Sequence, residues 1–160
     1  MPNENQISSK QQLEDQICVI LGGRISEEIF FGKVSTGAYD DLQKAYQLAK
    51  AIVAQYGMNE KLGWLRYNET EYAKYYSRAT EEQIDQEMAQ IIARCTAKTR
   101  ALIQEKKSLI ETLAEKLLEK ETIDQRTIEE VLGERPFKAS KQYEQYLKEK
   151  KQLPSQSSTS

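Results

Sequence analysis

The residue whose type and position best suit a chemical role is Asp41, in the first turn of a helix predicted over residues 37–56. On a helical wheel it falls beside Ala45 and Ile52, at the edge of the apolar stripe, whereas Asp40 turns toward solvent. A carboxylate on the apolar side needs a metal ion, an arginine or backbone N–H groups as its partner. Asp41 is therefore interpreted either as a metal ligand or as an acid that interacts favourably with the N-terminal end of the helix dipole.

Two adjacent carboxylates, Glu27 and Glu28, raise the same question one helix earlier. Both follow Arg24 by three or four residues, which places them within reach of its guanidinium on a helix. Local ion pairs with Arg24 are the simpler interpretation; otherwise these carboxylates too need a metal ion or backbone N–H groups as partners.

The sequence contains no histidine, which excludes several kinds of site from these 160 residues. They include a histidine-ligated metal centre, a serine or cysteine nucleophile paired with histidine, and a histidine pH switch. Phosphate-binding loops, dinucleotide-binding fingerprints and nucleophile elbows are also missing. Cys18 and Cys95 lie far apart in the sequence on apolar helical stripes. They are expected to be buried, reduced thiols rather than a zinc motif or a disulfide framework.

Composition and charge exclude further classes of protein. Lys and Arg total 23 and Asp and Glu total 25, so the net charge is −2 and no basic surface for a nucleic acid is expected. Aromatic residues are concentrated between positions 58 and 79, but Glu69 and Glu71 lie among them, which favours packing or a loop over base stacking. No apolar run approaches the ~20 residues that a membrane-spanning helix needs.

Apolar periodicity predicts an all-α fold of four to six helices. The first helix follows a capping box at Ser9 and Gln12 and ends or bends at Gly22-Gly23. The helix predicted over residues 37–56 has an apolar stripe from Leu42 to Tyr56 and stops at Gly57. A long helix is predicted from the capping box of Thr80 and Gln83, and another begins at Ser108. A short last helix is capped by Asp124 or Thr122 and ends at Gly133. The only β structure that the sequence allows is a small element near Trp64, at residues 63–67.

Several motifs, in one order along the chain, resemble the FtsH family of ATP-dependent zinc metalloproteases. They are LGGRISEEIFFG at 21–32, STGAYDDL at 35–42, YGMNEKLG at 56–63, YSRAT at 76–80, ID at 84–85, LLEKET at 117–122 and LGERPF at 132–137. The pair Phe30-Phe31 and the Arg-Pro-Phe ending resemble the mitochondrial inner-membrane branch more than the bacterial branch.

By this resemblance, the peptidase domain is mostly helical and binds one zinc ion. Two histidine ligands and a general-base glutamate come from an H-E-x-x-H helix, and the third protein ligand is the Asp of a Thr-Gly-Ala-x-x-Asp motif, which is Asp41 here. Glu27, the first glutamate of the Ser-Glu-Glu motif, would lie near the zinc and orient a ligand. The H-E-x-x-H helix and the ATP-binding module are absent from this sequence, and the family places that helix before the point where the sequence begins.

The resemblance therefore implies that residues 1–137 are the C-terminal part of an FtsH-type peptidase domain, followed by a polar tail, 138–160, that is expected to be disordered. The chain by itself is expected to bind no ATP and to be proteolytically inactive, because Asp41 is one ligand of a three-ligand site.

Family members degrade membrane and misfolded proteins as hexameric rings, and the resemblance implies a mitochondrial inner membrane complex. This chain alone would be soluble, with protein substrates and other FtsH-type subunits as its partners. The alternative is a catalytically inactive helical interaction module that docks onto intact FtsH-type rings.

Overall fold

Five α-helices make up most of the chain that the structure describes. The computed structural model describes residues 7–67 and 75–133. In order, the helices are α1 (Lys10–Phe31), α2 (Tyr39–Lys50), α3 (Arg78–Glu105), α4 (Lys107–Lys120) and α5 (Gln125–Leu132). Within these two ranges the β structure is an isolated antiparallel bridge between Asn59 and Gly63. The prediction of an all-α fold is confirmed, and the small β element predicted near Trp64 is reduced to that bridge.

The described residues fall into two compact units, one ending at Lys107 and the other beginning at Ser108. The tail predicted to be disordered, 138–160, lies outside the described residues. None of the described helices is long and apolar enough to cross a membrane.

Both ends of α1 are set by local signals in the sequence. The capping box predicted at its start is confirmed, since the Ser9 hydroxyl accepts a hydrogen bond from the Gln12 amide and the Gln12 side chain accepts one from the Ser9 amide. At the other end, Gly32 adopts a left-handed φ of 64° and donates its amide to the Glu28 carbonyl. Glycine has this conformation at little cost because it lacks a Cβ.

The glycine pair in the middle of α1 does not interrupt the helix, which continues to Phe31, so the predicted end at Gly22-Gly23 is wrong. Leu21 and Ile25, on either side of the pair, are both buried against the rest of the first unit. Burial of such a side chain contributes about 1.5–3 kcal/mol, whereas a helical glycine costs about 1 kcal/mol relative to alanine. Packing therefore outweighs the local preference of the two glycines.

Replacing Gly23 with alanine is expected to raise the free energy of unfolding by about 0.5–1 kcal/mol, because alanine loses less backbone entropy than glycine when a helix forms. Gly23 is exposed, and a Cβ built on it meets none of the described atoms within 4 Å. Urea unfolding followed by circular dichroism checks this prediction. A lower unfolding midpoint in the variant would show that the bare glycine backbone is needed at this point of α1.

Helix α1 packs along α3, and two contacts show that the helices run in the same direction. The Cys95 thiol donates to the Glu14 carbonyl and the Thr99 hydroxyl donates to the Cys18 carbonyl, so the contacts advance by four residues on both helices. Three ion pairs join acids of α1 to bases of α3, namely Glu14 with Arg94, Asp15 with Lys98 and Glu28 with Arg100. Ion pairs at a surface contribute little stability each, so their main effect is on the register of the two helices.

A π-helical turn, Ala51–Gln55, continues α2. The Tyr56 amide donates to the Ala51 carbonyl over 2.9 Å and closes the wider turn, in which residues 51–54 are all buried. The predicted regular stripe is wrong at both ends, since Leu42 is 43% exposed and Tyr56 is 56% exposed. The extra residue of a π turn rotates the residues that follow it, which explains the exposure of Tyr56.

The loop after this turn is held to α3 by a polar cluster made of Asn59, Lys61 and Glu87. Asn59 Oδ1 accepts hydrogen bonds from the amides of Lys61 and Leu62, over 2.9 and 3.2 Å, while Asn59 Nδ2 donates to Glu87 over 2.8 Å. The Lys61 ammonium group also donates to Glu87. The hydrogen bonds from Lys61 and then Asn59 lower the pKa of the Glu87 carboxyl below its usual range. Gly57, with a φ of 62°, confirms the predicted stop before this loop.

The start of α3 and both ends of α5 are also marked by capping groups. Ser77 is the N-cap of α3 and accepts a hydrogen bond from the Thr80 amide, so the helix starts earlier than the capping box predicted at Thr80. In the second unit, Asp124 caps α5 through the Thr127 amide over 2.9 Å, and this bond lowers the Asp124 pKa. Gly133 ends α5 as predicted.

Candidate functional site

A short connection between α1 and α2 presents the carboxylates that the sequence singles out. After Gly32 reverses the chain, the Ser35 hydroxyl accepts a hydrogen bond from the Gly37 amide over 3.2 Å and starts a single 3₁₀ turn, Thr36–Ala38. Ala38 is buried and anchors this turn. Helix α2 follows directly, with two acids in its first turn, where the helix dipole favours negative charge.

Asp41 lies in that first turn with its side chain 43% exposed, while the neighbouring Asp40 is exposed. This agrees with the wheel, which places Asp41 at the edge of the apolar stripe and Asp40 toward solvent. Lys44 Nζ lies 3.6 Å from Asp41 Oδ1, one turn further along the helix. Such an exposed pair is weak, at about 0.2–0.5 kcal/mol, so Asp41 can exchange this partner for a stronger one.

Glu27 and Glu28, near the end of α1, differ in their surroundings. Glu28 forms two hydrogen bonds with the Arg100 guanidinium of α3, over 3.1 and 2.8 Å, and these bonds are the main cause of its lowered pKa. The predicted local ion pair with Arg24 is therefore replaced, for Glu28, by a contact between helices. Glu27 is half-buried, and the three ion pairs between α1 and α3 do not involve it.

The carboxylates near the α1–α2 connection do not form a metal site by themselves. In the part of the chain that the structure describes, no three Cys, Asp or Glu side chains are grouped so that they could hold a metal ion. Asp41 supplies a single accessible oxygen ligand, whereas a zinc centre needs three or four protein ligands. A metal site built on Asp41 therefore requires ligands from outside the described residues.

Two surface depressions flank α2. One, of about 540 Å³, lies between α1 and α2, and its surface is mainly apolar although four of its six residues are polar: Ile20, Asp40, Gln43, Lys44, Gln47 and Leu48. The other is an apolar groove of about 480 Å³ between α1, α2 and α3, lined by Leu21, Leu42, Ala45, Tyr46, Asp85, Met88, Ala89, Ile92 and Ala93. Because Leu42 and Tyr46 line this groove, they stay partly exposed.

Sequence reasoning misses two groupings that the fold creates. Glu87 falls on the apolar stripe of α3, between Ile84 and Ile91, and this position is the one signal in the sequence that it is buried and paired. Cys18 and Cys95 are expected to be unrelated, but the packing of α1 on α3 brings them together. The prediction that both are free thiols is confirmed, and so is the burial of Cys95; Cys18 is only partly buried.

Comparison with known proteins gives a consistent result. The profile of the family described as peptidase family M41 matches residues 1–131. The mouse mitochondrial inner membrane m-AAA protease component AFG3L2 is 43% identical over 152 residues, which cover 92% of this chain and 19% of the relative. The mitochondrial ATP-dependent zinc metalloprotease FTSH 10 of Arabidopsis thaliana is 43% identical over 141 residues, covering 87% of this chain and 17% of the relative.

A bacterial relative matches the chain to a similar extent. The ATP-dependent zinc metalloprotease FtsH of Rhodothermus marinus is 37% identical over 144 residues, which cover 86% of this chain and 21% of the relative. In each of these relatives the chain matches about a fifth of the length. The match therefore gives no information about the functions of the rest of each relative.

Proposed function

Because the chain belongs to peptidase family M41, we propose that it forms the C-terminal part of the peptidase domain of an ATP-dependent zinc metalloendopeptidase. The observation that carries this proposal is the position of Asp41, an accessible carboxylate in the first turn of α2, within a match that extends over residues 1–131. In the working enzyme, the two histidine ligands and the general-base glutamate come from an H-E-x-x-H helix outside this sequence.

Asp41 would bind the zinc ion through its carboxylate. The connection of Gly32, Ser35 and the 3₁₀ turn fixes the start of α2, so the carboxylate is positioned by backbone geometry rather than by a flexible loop. Bound zinc polarises a peptide carbonyl and lowers the pKa of a bound water to near 7. On binding zinc, Asp41 gives up only its weak contact with Lys44.

Glu27 would orient a zinc ligand without touching the metal. Its neighbour Glu28 is bound to Arg100, which joins this turn of α1 to α3. Groups that orient metal ligands typically change metal affinity or activity by about 10–100-fold when they are removed.

A chimera tests the proposal directly. Residues 1–131 of this chain replace the matching segment of the Rhodothermus marinus FtsH, and the purified assembly is assayed for bound zinc and for ATP-dependent hydrolysis of casein. Zinc binding and hydrolysis would support the proposed role. An assembled chimera that contains no zinc would overturn it.

The 160-residue chain alone is expected to hydrolyse no casein in the presence of zinc, because one carboxylate does not hold a catalytic zinc ion tightly. The measurement is release of labelled peptides from casein over a day, with the chimera as the positive control. Metal-dependent hydrolysis that is lost in Asp41→Ala would contradict the prediction, since it would require a complete zinc site within these residues.

The proposed setting is that of the relatives. We propose a mitochondrial inner membrane complex, as the name of the mouse relative suggests, with protein substrates and assembly with other FtsH-type subunits into a hexamer, as the family resemblance implies. ATP would be bound by a separate module of the assembly rather than by this chain.

A second candidate function is a catalytically inactive interaction module that docks onto intact FtsH-type rings. The observation that favours it is the open apolar groove beside α2, where Leu42 and Tyr46 remain partly exposed. Affinity purification of the 160-residue chain from its source distinguishes the two functions. If full-length FtsH-type subunits are recovered as separate proteins together with a zinc-free 160-residue chain, the result would favour the interaction module.

A further inference from the structure

Two thiols from distant parts of the chain meet where α1 packs on α3. The Cys18 thiol lies 3.8 Å from the carbonyl oxygen of Cys95, and the Cys95 thiol lies 3.6 Å from the carbonyl oxygen of Glu14, one turn before Cys18. Both thiols are free, and the neighbouring Cys18 thiol contributes to the raised pKa of Cys95. We propose that Cys18 and Cys95 form a reversible disulfide, a redox-sensitive covalent link between α1 and α3, with a small-molecule disulfide such as oxidised glutathione as the oxidant.

The reaction proceeds by two thiol–disulfide exchanges. The Cys18 thiolate attacks one sulfur of oxidised glutathione, which forms a mixed disulfide and releases one reduced glutathione. The Cys95 thiolate then attacks the Cys18 sulfur, which forms the Cys18–Cys95 bond and releases the second glutathione. The protein loses two electrons and two protons, and the oxidant gains them as two thiols.

The order of the two steps follows from the surroundings of each thiol. Cys18 is partly buried and can be reached from solvent, whereas Cys95 is 2% exposed. Burial raises the pKa of the Cys95 thiol to about 12, with the neighbouring Cys18 as a further cause. The thiol expected to meet the oxidant first is therefore Cys18, and the buried Cys95 thiol closes the link afterwards.

The link would stabilise the pairing of α1 with α3 because it closes a long loop in the unfolded chain. In the loop-entropy description, a disulfide across this separation lowers the unfolded fraction by up to about a thousand-fold. Its expected effect on the folded structure is small, since each thiol already lies against the backbone of the other helix. The proposal does not depend on the proposed peptidase function.

The experiment uses the full chain, equilibrated with mixtures of reduced and oxidised glutathione, alkylated and digested with trypsin. The expected product is a peptide of residues 11–24 joined to residues 95–98, from a monomer that has lost two hydrogen atoms. The linked fraction at a given glutathione ratio should be at least about tenfold higher in the folded chain than in urea, since folding keeps the thiols together. The urea unfolding midpoint of the linked chain should rise and should return on reduction.

A matched control moves the thiol by one residue on α1. The double variant Cys18→Ala, Val19→Cys places a thiol on a side chain that is 80% exposed and turned about 100° round the helix from Cys18, so it should form no internal link. Cys95→Ala should give only mixed disulfides. Three results in the wild-type chain would each overturn the proposal. They are stable mixed disulfides, two free thiols in the folded chain, and a linked peptide found only in dimers.

Discussion

Replacing Asp41 with asparagine is expected to remove zinc from the chimera with FtsH and to reduce ATP-dependent hydrolysis of casein by at least about 100-fold. A neutral amide is a much weaker ligand for zinc than a carboxylate, and loss of one of three protein ligands leaves the ion weakly held. The side chain keeps its size, and its contact with Lys44 is at the surface, so the fold should not change. Zinc content and casein hydrolysis are measured on the same purified assembly.

The matched control is Asp40→Asn, one residue earlier in the same turn of α2. Asp40 is exposed and shares the favourable interaction with the helix dipole, so this variant reproduces the loss of negative charge in the first turn without the loss of a zinc ligand or of the weak Lys44 contact. It should retain both zinc and activity. Equal losses in the two variants would mean that charge at the start of α2, rather than metal binding, explains the result, and the assignment of Asp41 would fail.

Replacing Glu87 with alanine is expected to lower the free energy of unfolding of the chain by about 2–3 kcal/mol. Its side chain is 11% exposed and accepts hydrogen bonds from Asn59 and from the Lys61 ammonium group. Removal of the carboxylate leaves the buried Asn59 amide without this acceptor and frees the loop from α3. Urea unfolding followed by circular dichroism gives the change.

The control for Glu87 is Asp85→Ala, an exposed acid two residues earlier on α3, which should change the free energy of unfolding by less than about 0.5 kcal/mol. Dependence on pH gives a second readout. The folded pKa of Glu87 is lowered from an ordinary value of 4.5, so the unfolded state binds more protons as the pH falls. Its stabilisation is therefore complete above about pH 5 and is lost as the pH falls through the folded pKa. Glu87→Gln should remove this part of the acid sensitivity, and an unchanged pH profile would show that the carboxylate is not paired.

Features set by neighbouring residues are the ones that the sequence predicts well. The capping box of Ser9, the left-handed stop at Gly57 and the end of α5 at Gly133 depend on a few adjacent positions, and the structure confirms all three. The half-exposed position of Asp41 follows in the same way, because a helical wheel needs only the local period. Its role as a zinc ligand stays a prediction.

Features set by packing between distant segments are the ones that sequence reasoning misses. Local preference predicts a break at Gly22-Gly23, but burial of Leu21 and Ile25 on either side keeps α1 continuous. Periodicity places Cys18 and Cys95 on apolar stripes without showing that the two stripes face each other in one register. The π turn after α2 is likewise invisible to a constant period of 3.6 residues.

The pairing of α1 with α3 has a consequence for biosynthesis. Contacts between these helices join residues 81 positions apart, such as Cys95 and Glu14, so α1 leaves the ribosome long before the helix that covers it exists. At roughly 5–20 residues per second, the part of the apolar face of α1 that α3 covers stays exposed for about 4–16 s in each round of translation. Over that interval the nascent chain presents Leu13, Ile17 and Ile25 to solvent, which makes α1 a natural binding segment for chaperones during synthesis.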